Sequence, residues 1–421
     1  MSGHNALERR LGTSDAVVIG LGSMIGAGVF AAFSPAAESA GAGMLIGLLI
    51  AAVVAYCNAT SSAQLAAALP SSGGTYLYGR EQLGPWAGYL AGWGFVIGKT
   101  ASSAAMAITF AAYAAPQGWE RPVAIGAVIA LAAVNYRGVT RTARLTRVIV
   151  TVVLLALAVT VAASWAPGTA SLGSAGLREL FAEGWYGILQ SAGLLFFAFA
   201  GYARIATMGE EVRDPARVIP RAILTALGIT VVIYAVIAVT LLAALGPDGT
   251  AATSAPLSTA VSQGSWSWAV PVVHIGAAAA ALGALLALIA GLGRTTLAMA
   301  RENDLPRWLA AVHTKYKVPH HAEVTLAVVV CIIILLADLR GAIGFSSFGV
   351  LIYYLIANIS AYTQKPAHRR YPKALQILGA TACIALIATL PPTSISIGLA
   401  VFAVGIIYRL IRLKYFTPAR T

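Results

Sequence analysis

Apolar runs of roughly 17 residues or more recur along the whole chain, divided by short charged or Pro/Gly-rich punctuation. A run of that length crosses a bilayer's hydrocarbon core as a helix. Helices and closed barrels are the only folds that satisfy every backbone polar group there. The runs fall at 14–35, 43–69, 85–115, 122–135, 145–165, 186–208, 222–245, 270–300, 322–338, 343–362, 374–390 and 395–413. The expected fold class is therefore an all-α polytopic membrane protein with twelve transmembrane helices. The fourth, ninth and eleventh runs are short, and the third and eighth are long enough to require tilt. Composition agrees: only 10% of residues are charged, against about 25% in a soluble chain. The first run is long, lacks a small-residue cleavage site and continues into the fold, so it reads as a helix and not as a signal peptide.

A net charge of +13 would suit a nucleic-acid partner, but its distribution points to the membrane instead. With the N-terminus placed inside, only Arg121, Arg178 and Arg340 fall in outside loops, and Lys99 alone lies near the centre of a span. The rest of the 28 Lys and Arg residues fall in inside segments. That bias predicts cytoplasmic N- and C-termini in a cell membrane and no nucleic-acid binding. Abundant Ala and Gly, with Arg outnumbering Lys, suggest a high-GC bacterial source. Cys57, Cys331 and Cys383 sit in apolar runs without metal spacing and read as packing residues. The six histidines form no ligand cluster, with His320 and His321 expected in a loop. No metal or cofactor is implied, and nothing in the sequence specifies an oligomeric state.

The first run contains Gly-Leu-Gly-Ser-Met-Ile-Gly-Ala-Gly-Val-Phe at 20–30. Each glycine costs about 1 kcal/mol relative to alanine inside a helix. Two readings follow. Residues 22–28 are an unwound segment whose free N–H groups hold a small anion at mid-membrane. Alternatively, Gly22 and Gly26 form a Gly-x-x-x-Gly face for close helix packing. A second landmark, Phe196-Phe197-Ala198-Phe199-Ala200-Gly201-Tyr202-Ala203-Arg204, lies in the sixth span, which opens the second group of five. Spans one to five start from the inside and spans six to ten from the outside. This is the topology of inverted repeats with a discontinuous helix in each half, although no residue-level repeat is visible.

These landmarks are shared with other motifs in register: Pro70-Ser71-Ser72-Gly73-Gly74-Thr75-Tyr76 after span two, and Asn135-Tyr136-Arg137-Gly138-Val139 after span four. Glu210-Glu211 with Asp214-Pro215 and Ile219-Pro220-Arg221 follows span six. Ala300-Arg301-Glu302-Asn303-Asp304-Leu305-Pro306 follows span eight, and Tyr353-Tyr354 with Asn358 lies in span ten. Over nearly its whole length the chain resembles the amino acid–polyamine–organocation (APC) family of transporters. The resemblance implies a LeuT-like five-plus-five inverted repeat plus two C-terminal helices. The corresponding segments are a cytoplasmic N-terminus at 1–13, repeats at 14–165 and 186–364, and the last two helices with a cytoplasmic tail at 374–421. It also implies an amino acid substrate. The N–H groups of Gly26, Ala27 and Gly28 would hold its carboxylate, and the carbonyls of Met24, Ala198 and Ala200 its ammonium. Ile25 and Gly201 complete the two broken segments. Phe197 and Phe199 would form an apolar lid, or else merely pack the bundle.

Three departures from the family pattern are informative. Many members carry an acid just after the span-six break, where this chain has Gly201-Tyr202-Ala203, and no carboxylate lies deep in any span. A cationic side chain would lack a partner, which favours a neutral amino acid. Span eight offers no Ser or Thr between Gly276 and Gly291 for a sodium ion, and Val153 stands where some proton-coupled relatives have lysine. Sodium is therefore doubted and proton-coupled symport expected. Lys99, near the centre of span three, is the candidate coupling residue; the alternative is a lysine permanently paired to carbonyls. Glu210 and Arg301 are candidate gate residues, with a solvated, helix-capping face as the alternative. Exchange, export or polyamine uptake remain alternatives. A passive channel would need a charged ring or filter-like repeat, and an enzyme clustered catalytic groups; the sequence offers neither.

Overall fold

The computed structural model describes residues 11–70, 73–138, 143–166, 179–209 and 211–416. Helices occupy every expected span. α1 (Thr13–Met24), α2 (Ala27–Ala31) and α3 (Phe33–Ala40) make up the interrupted first span. α4 (Met44–Ala68) follows, then α5 (Gly74–Leu83), a short helix between spans. α6 (Pro85–Ala114), α7 (Glu120–Tyr136) and α8 (Ala143–Ser164) complete the first group of five spans. The second group begins with α9 (Gly184–Phe199) and α10 (Ala203–Ala206), joined by a 3-10 turn at Ala200–Tyr202. α11 (Pro215–Ala251) contains a kink at Gly246, and α12 (Pro256–Ser262) is again short. α13 (Val270–Arg301), α14 (His320–Leu336), α15 (Leu339–Thr363), α16 (Lys373–Thr389) and α17 (Pro392–Phe416) complete the chain. His320 and His321 thus open a helix and do not lie in a loop. The starts are chemically marked: proline stands at the first turn of α6, α11, α12 and α13, where a missing N–H costs nothing. The Asp338 carboxylate accepts from Gly341 N at 2.7 Å to cap α15.

Nine of the described helical segments are long and apolar enough to cross a membrane, and α14 and α16 are shorter apolar helices. Their outer surfaces carry bare aliphatic side chains such as Leu49, Leu155, Val232, Leu336 and Val404, as lipid contact requires. Trp86, Trp119, Trp165, Trp185, Trp266, Trp268 and Trp308 are exposed near span ends, where an amphipathic ring sits at headgroup level. Cys57 and Cys383 are buried, and all three cysteines are free.

Packing partners come in matched pairs. α4 packs on α9 as α11 packs on α1 and α3; α6 packs on α15 as α13 packs on α8. α6 meets α7 as α13 meets α14, and the short helices correspond too, α5 against α6 and α12 against α13. Exchanging each span with the one five places away converts one set of contacts into the other. Two faces result. One carries the Arg147–Asp15 pair (2.7 Å) and the charges around Asp304; it is called the basic face below. The opposite face carries Arg340, bonded to Glu38, Ser39 and Gln190.

Candidate functional site

The first span opens over a shorter stretch than the glycine spacing predicts. Gly22 remains inside α1 and Gly28 inside α2. Only Ile25 (φ −80°, ψ 34°) and Gly26 (φ −77°, ψ −143°) leave the helix, and Ile25 N still reaches Leu21 O at 2.7 Å. The buried neighbours Met24, Val29 and Phe30 hold helical turns on either side. The second landmark is a tightened turn and not a gap: the Ala200 N–H bonds back to Phe196 and Phe197 carbonyls before the chain resumes at Ala203. The helix does break, at Ile25 and Gly26 alone, and the glycines beside the break are packed closely. A Cβ on Gly26 would lie 2.9 Å from Ala284 Cβ, and one on Gly28 would lie 2.8 Å from Ala198 Cα. The break exists, and its flanks pack without room for a methyl group. The two interruptions therefore touch each other.

A cavity of about 600 Å³ starts at this meeting point and runs to the basic face. Of the residues anticipated from the sequence, Met24, Gly28, Lys99, Phe197, Ala198, Ala200 and Gly201 line it. Ile25, Gly26, Ala27 and Phe199 do not. Phe199 faces the core, its ring 5.0 Å from that of Tyr234, so the packing alternative applies to it and only Phe197 borders the cavity. Helical geometry explains the split, since residues two apart on a helix point to opposite sides. A separate cavity of about 640 Å³ opens on the opposite face, lined by Ser34, Glu38, Arg121 and Arg340 among others. The two share no lining residue. Phe30 and Phe33, which stand in the chain between Gly28 of the first cavity and Ser34 of the second, pair edge to face with Tyr113 (5.6 Å) and Tyr234 (6.1 Å).

The carbonyls expected to hold an ammonium already have protein donors. The Tyr234 hydroxyl donates toward Met24 O at 2.5 Å and Ala198 O at 3.1 Å. Ala200 O accepts from Lys99 Nζ and from Tyr354 Oη, each at 3.3 Å. Lys99 is buried, borders the cavity, and has no carboxylate within ion-pair distance among the described residues. Tyr234 was missed in the sequence. Its signal was available: one tyrosine inside the aliphatic seventh span, a polar handle that must find a partner when buried. Tyr234→Phe is expected to leave the protein folded and to change substrate affinity several-fold, as a binding titration on purified protein would show. An affinity equal to that of the parent protein would remove this hydroxyl from the site.

On the side facing the first break, α13 presents Ala280 and Ala284, and Val153 is buried in α8. Toward the basic face the wall becomes polar, with Tyr76, Arg204, Thr207, Glu211, Arg294 and Thr295. Arg204 and Glu211 pair at 3.5 Å. Of the anticipated gate residues, Glu210 lies outside the described residues. Arg301 is exposed and forms no ion pair among them. Its neighbours do the pairing: Arg80 reaches Glu302 and Asp304, each at 3.2 Å, and buried Asp304 also takes Arg409 and the Tyr76 hydroxyl (2.9 Å).

A family profile described as amino acid permease matches residues 15–419. The chain is 58% identical over 400 residues to an uncharacterized transporter of Mycobacterium tuberculosis, covering 95% of this chain and 90% of that one. It is 24% identical over 409 residues to the branched-chain amino acid permease BcaP of Bacillus subtilis, covering 90% and 85%. It is 27% identical over 379 residues to cationic amino acid transporter 7, chloroplastic, of Arabidopsis thaliana, covering 84% of this chain and 65% of that protein.

Proposed function

This chain belongs to the amino acid permease family, and from that premise we propose that it moves a neutral amino acid by alternating access, coupled to protons. It is a multi-pass membrane protein and an amino acid transporter; substrate class, coupling and mechanism are the proposal. The observation that carries it is the cavity at the junction of the two interrupted helices. Gly28, Met24, Ala198 and Ala200, from the two interrupted segments, border it. Helix starts favour a carboxylate and helix ends an ammonium, so a zwitterion is the solute whose two charges suit such a junction. Of the three anticipated donors Gly26, Ala27 and Gly28, only Gly28 lines the cavity, and in this reading its N–H takes the carboxylate, with Phe197 over the side chain.

The ionisable wall supports the neutral class. Among the described residues it carries Lys99, Arg204 and Arg294 against one carboxylate, Glu211, which is paired to Arg204. A cationic side chain would enter a positive, poorly hydrated space. The plant relatives named cationic amino acid transporters offer the competing reading. The basic face is read as cytoplasmic by the arginine bias, which makes this an inward-facing state sealed from the outer cavity by the Phe30–Tyr113 and Phe33–Tyr234 layers. The matched packing pairs are read as two inverted repeats that rock against each other. Lys99 is the coupling residue, and sodium remains doubted where α13 offers methyl groups.

The test is thermal stability of the purified protein with L-leucine, L-alanine, L-arginine or putrescine. At a hundred times Kd, a ligand stabilises by about 2.7 kcal/mol. A clear rise with leucine or alanine, and none with arginine or putrescine, is expected. Stabilisation by the cations alone would overturn the neutral assignment.

A further inference from the structure

We infer that amino acid and proton exclude each other from this site, so that the protein exchanges an amino acid for a proton instead of carrying both in one direction. The inference rests on the amino acid reading above. Its geometric basis is the crowding of acceptors at the second break. Ala200 O has two lone pairs and two donors, Lys99 Nζ and Tyr354 Oη, each at 3.3 Å. Met24 O and Ala198 O share the single proton of the Tyr234 hydroxyl. An ammonium arriving at these carbonyls finds one of them saturated, partly by another ammonium.

Two ammonium groups bonded to one oxygen lie within about 6 Å of each other, where like charges disfavour joint ionisation. Among the described residues no carboxylate side chain pairs with either ammonium to relieve the crowding. The ionisable groups on the cavity wall are Tyr76, Arg204, Glu211 and Arg294. The Tyr76 hydroxyl donates to Asp304 and Glu211 pairs with Arg204; Tyr354 contributes only its hydroxyl. No described carboxylate pairs with Lys99. The carbonyl of Ala200 thus accommodates one ammonium at a time. When the zwitterion binds, one Nζ–H bond of Lys99 breaks and the electron pair stays on nitrogen. The proton leaves to water in the open arm of the cavity, and the substrate ammonium takes the vacated place on Ala200 O. Return of the empty carrier requires Lys99 to be protonated again. The proton therefore crosses in the direction opposite to the amino acid.

The measurement is titration calorimetry with L-leucine, L-alanine and L-arginine between pH 6 and 9, in two buffers of different ionisation heat. Their difference counts protons. Close to one proton released per bound amino acid is expected, with affinity rising by up to about tenfold per pH unit. Lys99→Met, checked for native elution and helix content, should bind with no proton release and a flat pH profile. Lys99→Arg, with a charge that stays, should bind at least about tenfold more weakly at every pH and release nothing. Binding by the native protein with proton uptake, or with none released, overturns the exchange. So does release that persists in Lys99→Met, or binding lost in Lys99→Met, which would make Lys99 a carboxylate ligand. If none of the three amino acids binds, the amino acid reading itself falls, and this inference with it.

Discussion

Gly201→Ala is expected to abolish most transport, although it adds one methyl group. A Cβ at Gly201 would lie 2.2 Å from Ser23 O and 2.6 Å from Met24 N. Both are main-chain atoms at the edge of the first interruption, and no flexible side chain stands between to give way. The two broken helices would have to separate where they meet. Overpacking of this kind costs about 1–3 kcal/mol when neighbours can adjust, and here the neighbours, Ser23 and Met24, line the cavity. Uptake into proteoliposomes should fall by at least about tenfold, with a lower melting temperature. Gly228→Ala is the matched control, because nothing lies within 4 Å of a Cβ there. Equal transport by the two variants would show that the contact between the breaks has no functional weight.

Asp304→Asn is expected to destabilise the protein more than any other single change on the basic face. Asp304 is 6% exposed and the Arg409 side chain 7% exposed. Arg409 also lies over the rings of Trp86 (4.8 Å) and Tyr89 (4.5 Å) and donates to Pro85 O at 3.1 Å. Neutralising Asp304 leaves this guanidinium buried without its counter-charge, for which about 3–5 kcal/mol is the usual loss. The effect should reach the transport path, because the Tyr76 hydroxyl on the cavity wall loses its carboxylate acceptor. Thermal unfolding in detergent would register a drop of several degrees. The double variant Asp304→Leu, Arg409→Met should recover part of it, since an apolar pair can replace a buried ion pair. Strictly additive losses would mean that the two residues act independently.

The membrane-spanning helices were legible because each is written as an uninterrupted apolar run. The first break was legible because four glycines in eleven residues contradict a helix interior. Its narrow extent was not, since burial of Met24 and Val29 against other helices, and not local propensity, decides where winding resumes. Phe197 and Phe199 look alike in the sequence; only the packed bundle turns one toward the cavity and the other toward Tyr234. Which residue near Arg301 would be buried was hidden for a similar reason. Arg301, Glu302 and Asp304 follow one another at a helix end, and a reversal decides which of them is buried. Asn303 adopts φ 62°, a left-handed conformation that asparagine tolerates well, and Asp304 is carried inward while Arg301 stays in solvent. Tyr234 and Lys99 were each visible as polar groups in apolar runs. That both end on carbonyls of the interrupted helices could not be read without their partners, which are 210 and 101 residues away.

The stretch of α13 that borders the cavity carries Ala284, Ala287 and Gly291, and around Gly291 there is open space. At Gly291 a side-chain carbon can be added without touching the broken helices. On the function proposed above, size preference and transport machinery are then separately heritable. A lineage, or a laboratory selection, that needs a smaller cargo would find it by enlarging residue 291, and would keep the engine it already has.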